Sequence, residues 1–192
     1  MTAASPTRCT FEEYLRAEVD SEDKHEWCDG VVYAMSRGTP EHARLSARVV
    51  IILGNALGRD CTVFSADLML YVESARLSTY ADASVVCGSL ETKSVKQRGR
   101  TIGEAVTNPV VIVEVLSDST ERYDRDGKFQ AYKGLASLEE YVLVSQYEAR
   151  VEVYRRRADG SWSCDVAERG GSVTVHGARV GVDDVYGEPR RE

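Results

Sequence analysis

The sequence predicts an α/β fold, a central mixed β-sheet flanked by helices with additional β-hairpins. Three observations carry this. The run Val110-Val111-Ile112-Val113-Glu114-Val115-Leu116 is apolar and rich in β-branched residues, and Pro109 and Ser117-Asp118-Ser119-Thr120 bound it. A strand buried on both faces has this pattern. A charged helical segment carrying Lys128 follows directly. Other short apolar runs alternate with amphipathic helical patterns, and no repeat, low-complexity segment or linker divides them.

In chain order, Thr10 caps a short helix with Glu13 as its capping-box partner, and Phe11, Tyr14, Leu15 and Val19 form the apolar stripe. Residues 24–29 and 31–35 are strand-like and meet at Asp29-Gly30, a hairpin signal. Thr39-Pro40-Glu41 opens a long helix with proline in its first turn. Leu45, Val49, Ile52, Leu53 and Leu57 give that helix a core face. Residues 61–64 and 68–72 read as a strand pair, and Asp82 precedes a short strand at 83–87. The polar stretch 89–107, with Lys93, Lys96, Arg98 and Arg100, reads as a long exposed loop. Beyond the buried strand, Ser119 or Thr120 caps a helix running to about Leu135. Strands at 140–144 and 150–154 flank a turn; strands at 162–166 and 172–175 and a helical turn at 181–186 complete the chain.

The 192 residues suit one domain, expected over 10–187 behind a frayed tail at 1–9. Composition is that of a soluble globular protein, no apolar run is long enough to span a bilayer, and residues 1–10 hold no signal-peptide core. The five cysteines are scattered and odd in number, without a CxxC pair. They read as reduced, mostly buried thiols of a cytoplasmic protein, without a zinc site. A net charge of −7 argues against non-specific nucleic-acid binding by the whole surface but leaves room for a local basic groove.

Glu114 is the first candidate for chemistry. Strand alternation puts Val110, Ile112, Glu114 and Leu116 on one face and Val111, Val113 and Val115 on the other. A carboxylate there is costly unless paired, protonated or bound to a metal. Asp82, at a strand start, is an ordinary turn residue by itself, but beside Glu114 on a neighbouring strand it completes a two-carboxylate site for a hard divalent cation. Lys128 falls on the inward stripe with Ala131, Tyr132 and Leu135, where it can orient a water or neutralise a phosphate. The plain alternative for Lys128 is an i−4 pair with Asp124, worth a few tenths of a kcal/mol. Glu26, beside Trp27 in the first hairpin, can approach the same place; otherwise it is an exposed strand residue. His42 at a helix start is a weaker candidate, and His25 and His176 lack metal-pair spacing. Glycine-rich phosphate loops and a GxSxG elbow are absent. Arg155-Arg156-Arg157 reads as an exposed strand edge.

These residues fall in a familiar order. The sequence resembles the Uma family of restriction endonucleases, within the PD-(D/E)xK, restriction-endonuclease-like superfamily, from about Phe11 to Tyr186. The resemblance rests on Phe11-Glu12-Glu13-Tyr14-Leu15, Glu26-Trp27-Cys28-Asp29-Gly30, Glu41-His42, Asp82-Ala83-Ser84-Val85-Val86, Asn108-Pro109, Glu114-Val115-Leu116-Ser117, Tyr123-Asp124-Arg125, Lys128-Phe129 and Glu140-Tyr141-Val142-Leu143-Val144. It implies a nuclease core in which Asp82 matches the family's Asp and Glu114 its Glu. The superfamily's lysine two residues after the Glu is replaced here by Leu116, and Lys128 on the next helix matches the relocated lysine. Glu26 matches an auxiliary acid. Ala81 and Asp118 stand where proline is frequent; neither change removes a ligand.

The function so implied is a metal-dependent endonuclease hydrolysing DNA phosphodiester bonds. Asp82, Glu114 and the main-chain carbonyl of Val115 would hold Mg²⁺, with Mn²⁺ as a substitute. Two sites are needed to cut both strands, which makes a homodimer plausible. The alternatives are a catalytically silent nucleic-acid-binding or accessory module of the same fold, and a metal-using hydrolase of a small phosphorylated substrate.

Overall fold

The computed structural model describes residues 8–36 and 38–187. Helix α1 (Phe11–Val19) starts at its capping box: Thr10 Oγ1 accepts from the Glu13 N–H, and the Glu13 carboxylate accepts from the Thr10 N–H. Strands β1 (His25–Cys28) and β2 (Val31–Ala34) join through Asp29 and Gly30, both at positive φ as a tight hairpin turn requires. Helix α2 (Pro40–Ala56) is capped by Thr39 Oγ1, which accepts from the His42 N–H. Strands β3 (Cys61–Ser65), β4 (Met69–Val72), β5 (Leu77–Tyr80), β6 (Ala83–Cys87), β7 (Thr92–Gln97), β8 (Arg100–Val106) and β9 (Val111–Leu116) follow. The next helical segment has three consecutive stretches: α3 (Glu121–Tyr123), a π-turn (Asp124–Lys128) and α4 (Phe129–Tyr132). Then come β10 (Glu140–Ser145), β11 (Arg150–Arg156), β12 (Trp162–Glu168), β13 (Ser172–Val175), β14 (Ala178–Gly181) and helix α5 (Val182–Tyr186).

The strands form two six-stranded mixed sheets, ordered β12-β11-β10-β9-β6-β3 and β2-β1-β5-β4-β8-β7, and a separate β13–β14 hairpin. In the first sheet β9 and β10 are parallel and the other neighbours antiparallel. The sides of β9 separate two cores. Val111, Val113 and Val115 pack with Leu45, Val49 and Leu53 of α2 and with α5. Ile112 and Leu116 pack between the sheets with Leu70, Val106, Phe129 and Tyr132. A third core places Phe11, Tyr14 and Leu15 of α1 on Trp27, Tyr71 and Ala105 of the second sheet. The mixed α/β architecture is the one the sequence implies. Where one sheet with extra hairpins was expected, the extra strands build a second sheet.

Several expectations are corrected. Residues 61–64 and 68–72 do not pair with each other: β3 pairs with β6, and β4 with β5 and β8. Short apolar runs encode a strand but not its partner. The expected loop at 89–107 is the β7–β8 hairpin turning at Arg98 and Gly99, both at positive φ. Only Val95 of β7 is buried, so no period-two apolar face announced that strand. Thr120 makes no side-chain cap to the helix it precedes, and α4 ends at Tyr132, short of Leu135. Cys61 and Cys87 form a disulfide, correcting the reading of five reduced thiols, because the β3–β6 register sets them directly opposite. The arginine run is no sheet edge, since β12 covers β11. Arg155 instead pairs with Glu140, and Arg156 donates to the carbonyls of Lys133 and Leu135. Of the tail expected at 1–9, residues 1–7 lie outside the described residues, while Cys9 is held by hydrogen bonds with Gly30 and Trp27.

Candidate active site

Glu114 is carried by β9 and turned towards the core between the sheets, 3% exposed. Its Oε1 accepts from Lys128 Nζ at 3.0 Å and from the Tyr132 hydroxyl at 2.9 Å. Lys128 is likewise buried and lies 3.5 Å from Asp124 Oδ1. Both partners expected for Lys128 are therefore present at once, the functional one and the i−4 one. Asp124 is 2% exposed, and its Oδ1 makes no hydrogen bond. Tyr141 anchors the same turn by donating to the Asp124 carbonyl at 2.9 Å.

Asp82 stands one step beyond the Ala83–Val113 pair, so the antiparallel register faces it towards Glu114. Its Oδ2 accepts from the Val115 N–H at 2.7 Å. His42 Nε2 lies 3.3 Å from the same oxygen, and the imidazole also hydrogen-bonds the backbone of Val115. The His42 imidazole thus sits where Asp82 and Val115 converge. Gly38 leaves space for it: a Cβ there would meet His42 Nδ1 at 2.8 Å.

Glu26 enters from β1 of the second sheet and is 7% exposed, not the exposed strand residue that was the plain alternative. It accepts from Thr79 Oγ1 at 2.7 Å and from the Tyr123 hydroxyl at 2.6 Å, and its charge acts on Lys128.

Electrostatics follow from burying several charges together. Burial raises the Glu114 carboxyl, and Lys128 only partly opposes this. Burial likewise raises Asp124 against the pull of Lys128. For Lys128, burial acts to lower the ammonium, but Glu114 and Asp124 outweigh it and the net direction is upward. We take Lys128 as the charged member, because three acids surround it and a 3.0 Å contact joins it to one of them. The hydrogen bond to Asp82 raises His42, against burial.

Sequence reasoning names two neighbours of these residues but underrates both. Asp124 was weighed only as a partner for Lys128, although its i−4 position placed it on the same inward stripe. His42 was ranked low because a helix start is commonly solvated; only tertiary contact brings that start to Asp82. His25, by contrast, pairs with Glu18 away from this cluster.

Glu114 and Asp124 both lie against Lys128, and Asp124 offers a buried oxygen without a hydrogen bond. Hard oxygen donors of this kind fit Mg²⁺. In the arrangement described, no three ligand atoms of Asp82, Glu114, Asp124 and His42 lie within 4.8 Å of one another; among the described residues Cys61, Cys87 and His176 do.

The chain matches, over residues 11–180, the family profile Uma2, described as "Putative restriction endonuclease". Two uncharacterized proteins of Synechocystis sp. are similar: slr1290, 36% identical and covering 84% of each chain, and sll1609, 30% identical and covering 84% of this chain and 89% of its own. A crystal structure from Anabaena variabilis, described as a "putative nuclease belonging to DUF820", superposes with a TM-score of 0.66 at 18% identity, covering 86% of this chain and 91% of that one. That likeness bears on the fold. The profile match spans most of the sequence, and the order of acids and lysine that prompted the resemblance lies inside it: the chain belongs to the Uma2 family.

Proposed function

We propose that the chain is a metal-dependent endonuclease that hydrolyses DNA phosphodiester bonds. The observation that carries this is the group formed by buried Glu114, Asp124 and Lys128 with half-buried Asp82 on the neighbouring strand, three acids to one ammonium. Asp82, Glu114 and the Val115 carbonyl would hold Mg²⁺, or Mn²⁺ in its place. When bound, the ion would supply Lewis acidity at the phosphate and acidify a water. Lys128, held by Glu114 at 3.0 Å, would neutralise phosphate charge beside that position. His42, beside Asp82, is placed to accept or return a proton. Glu26 holds Tyr123 and adds to the field that keeps Lys128 charged. The β7–β8 hairpin exposes Lys96, Arg98 and Arg100, a local basic surface for a DNA backbone on an otherwise acidic protein.

A plasmid-nicking assay tests this. Wild type should nick DNA with Mg²⁺ or Mn²⁺ and stop on chelation, and Glu114→Gln and Asp82→Ala should fall at least about a hundredfold, the scale of losing one electrostatic element of a site. Equal cleavage by wild type and variants, or no wild-type cleavage over a broad substrate panel, refutes it.

A second reading, a catalytically silent accessory module, has its own observation: Glu114, Lys128 and Tyr132 satisfy one another without a metal. Calorimetric titration with Mg²⁺ separates the two. Binding that Glu114→Gln abolishes favours the nuclease; no binding favours the accessory module.

A further inference from the structure

The disulfide between β3 and β6 has a third member. Cys61 and Cys87 lie opposite each other with their Cα atoms 4.0 Å apart, and His176 brings Nε2 to 3.4 Å from Cys87 Sγ. One ligand atom from each lies within 4.8 Å of the other two. All three residues are half-buried and lie near the surface. His176 and Gly177 form the positive-φ turn of the β13–β14 hairpin, where asparagine or aspartate would suit the backbone better than histidine. The turn is fastened: the His176 N–H donates to Glu140 Oε2 at 2.7 Å, and Arg155 bonds both Glu140 and the Thr174 carbonyl. Glu139 Oε2 lies 3.3 Å from His176 Nδ1. A carboxylate on one ring nitrogen holds that nitrogen as the donor and leaves Nε2 with its lone pair facing the sulfurs, the arrangement that orients metal-binding histidines.

We propose that, with the disulfide reduced, Cys61, Cys87 and His176 form a Zn²⁺ site. Reduction breaks the S–S bond to give two thiols: a dithiol supplies two electrons and two protons and becomes a disulfide, or a phosphine supplies the electrons and becomes its oxide while water supplies the protons and the oxygen. Zn²⁺ binding then releases both thiol protons to solvent and forms two Zn–S bonds and one Zn–N bond, leaving the fourth tetrahedral position to water. Two thiolates and an imidazole select a borderline-soft ion over Mg²⁺. The site is separate from the acidic cluster: Asp82 precedes β6 and Cys87 ends it, about 16 Å away at the rise of a strand. It would tie the β13–β14 hairpin to the β3 edge of the first sheet by a bond that depends on metal and thiol state.

Thiol counting and Co²⁺ spectroscopy on the full chain test this. Oxidised protein should show three titratable thiols, Cys9, Cys28 and Cys164, and protein treated with a phosphine reductant five. One equivalent of Co²⁺ should then give a near-ultraviolet thiolate charge-transfer band and the visible bands of a tetrahedral ion, which Zn²⁺ displaces. Cys61→Ser and Cys87→Ser should lose both signals, and His176→Gln should weaken Zn²⁺ binding at least tenfold. Asp82→Ala should leave them intact, whatever its effect on DNA cleavage. Circular dichroism checks that the variants fold, and the wild-type spectrum stands without them. A folded wild type with five free thiols that takes up no Co²⁺ or Zn²⁺ overturns the proposal. So does uptake unchanged in Cys61→Ser, or a disulfide that opens only on unfolding.

Discussion

At Glu114 a single carboxylate sits in a wall of valine and isoleucine, and it is tolerated because Lys128 and Tyr132 both donate to one of its oxygens. Removing one partner of a buried pair costs more than the pair contributes, since the other charge stays behind in the core. Lys128→Met should therefore destabilise the fold by about 3 kcal/mol, and adding Glu114→Gln should restore part of the loss, because Gln needs no counter-charge. Urea denaturation of the two variants checks this; a single variant as stable as wild type would show that the ammonium is not what offsets Glu114. Glu152 makes a clearer pH argument. Burial pushes its carboxyl up, but hydrogen bonds from Arg125 and Arg150 outweigh burial and hold it below its ordinary value. A depressed carboxyl stabilises the fold above its unfolded value and loses that contribution as pH falls through the folded one. Glu152→Gln should cost about 2 kcal/mol at neutral pH, the scale of a charge-assisted hydrogen bond, and the gap from wild type should narrow in denaturation curves as pH falls below the unfolded carboxyl's range.

Among the elements, the π-turn between α3 and α4 decides the most. It contains Asp124 and Lys128, and the wider turn presents both to the core while Arg125 reaches out to Glu121 and Glu152. Gly127 sits inside it beneath the Tyr123 ring, where an added Cβ would meet ring carbons at 2.6 Å. An exposed helical glycine ordinarily gains stability on change to alanine. Here Gly127→Ala should instead destabilise by about 1–2 kcal/mol, the cost of overpacking, and displace the Tyr123 hydroxyl from Glu26. Thermal unfolding gives the sign directly, and a stabilised variant would mean that the Tyr123 ring moves aside freely.

For the whole molecule, the balance of charge is what matters. A chain at −7 loses from general contact with nucleic acid, and the acids around Lys128 are where the proposed divalent cation would offset negative charge. If Mg²⁺ binds the folded state alone, a concentration ten times its Kd should add about 1.4 kcal/mol. For a chain of this size that raises Tm by about 4 °C. Scanning fluorimetry should show this rise in wild type and not in Glu114→Gln. An equal rise in both would place the ion elsewhere. Among the described residues no helix is long and apolar enough to cross a membrane.

The sequence by itself determined the strands and helices whose periodicity is strong: α1 with its capping box, the Asp29-Gly30 hairpin, α2, and β9 with its two apolar faces. It also determined that Glu114 and Lys128 face inward, because strand and helix periods are local properties of the chain. Tertiary structure alone decided the rest. The second sheet arises from partners that short apolar runs do not encode, and β7 has almost no buried face to reveal it. The π-turn, where Gly127 lies under the Tyr123 ring and Tyr141 donates to the Asp124 carbonyl, is a widening of the helix that a 3.6-residue period does not announce. His42 meets Asp82 across 40 positions of sequence, Cys61 meets Cys87 across 26, and Cys87 meets His176 across 89. Contacts of that kind are set by how elements dock, which no local period records.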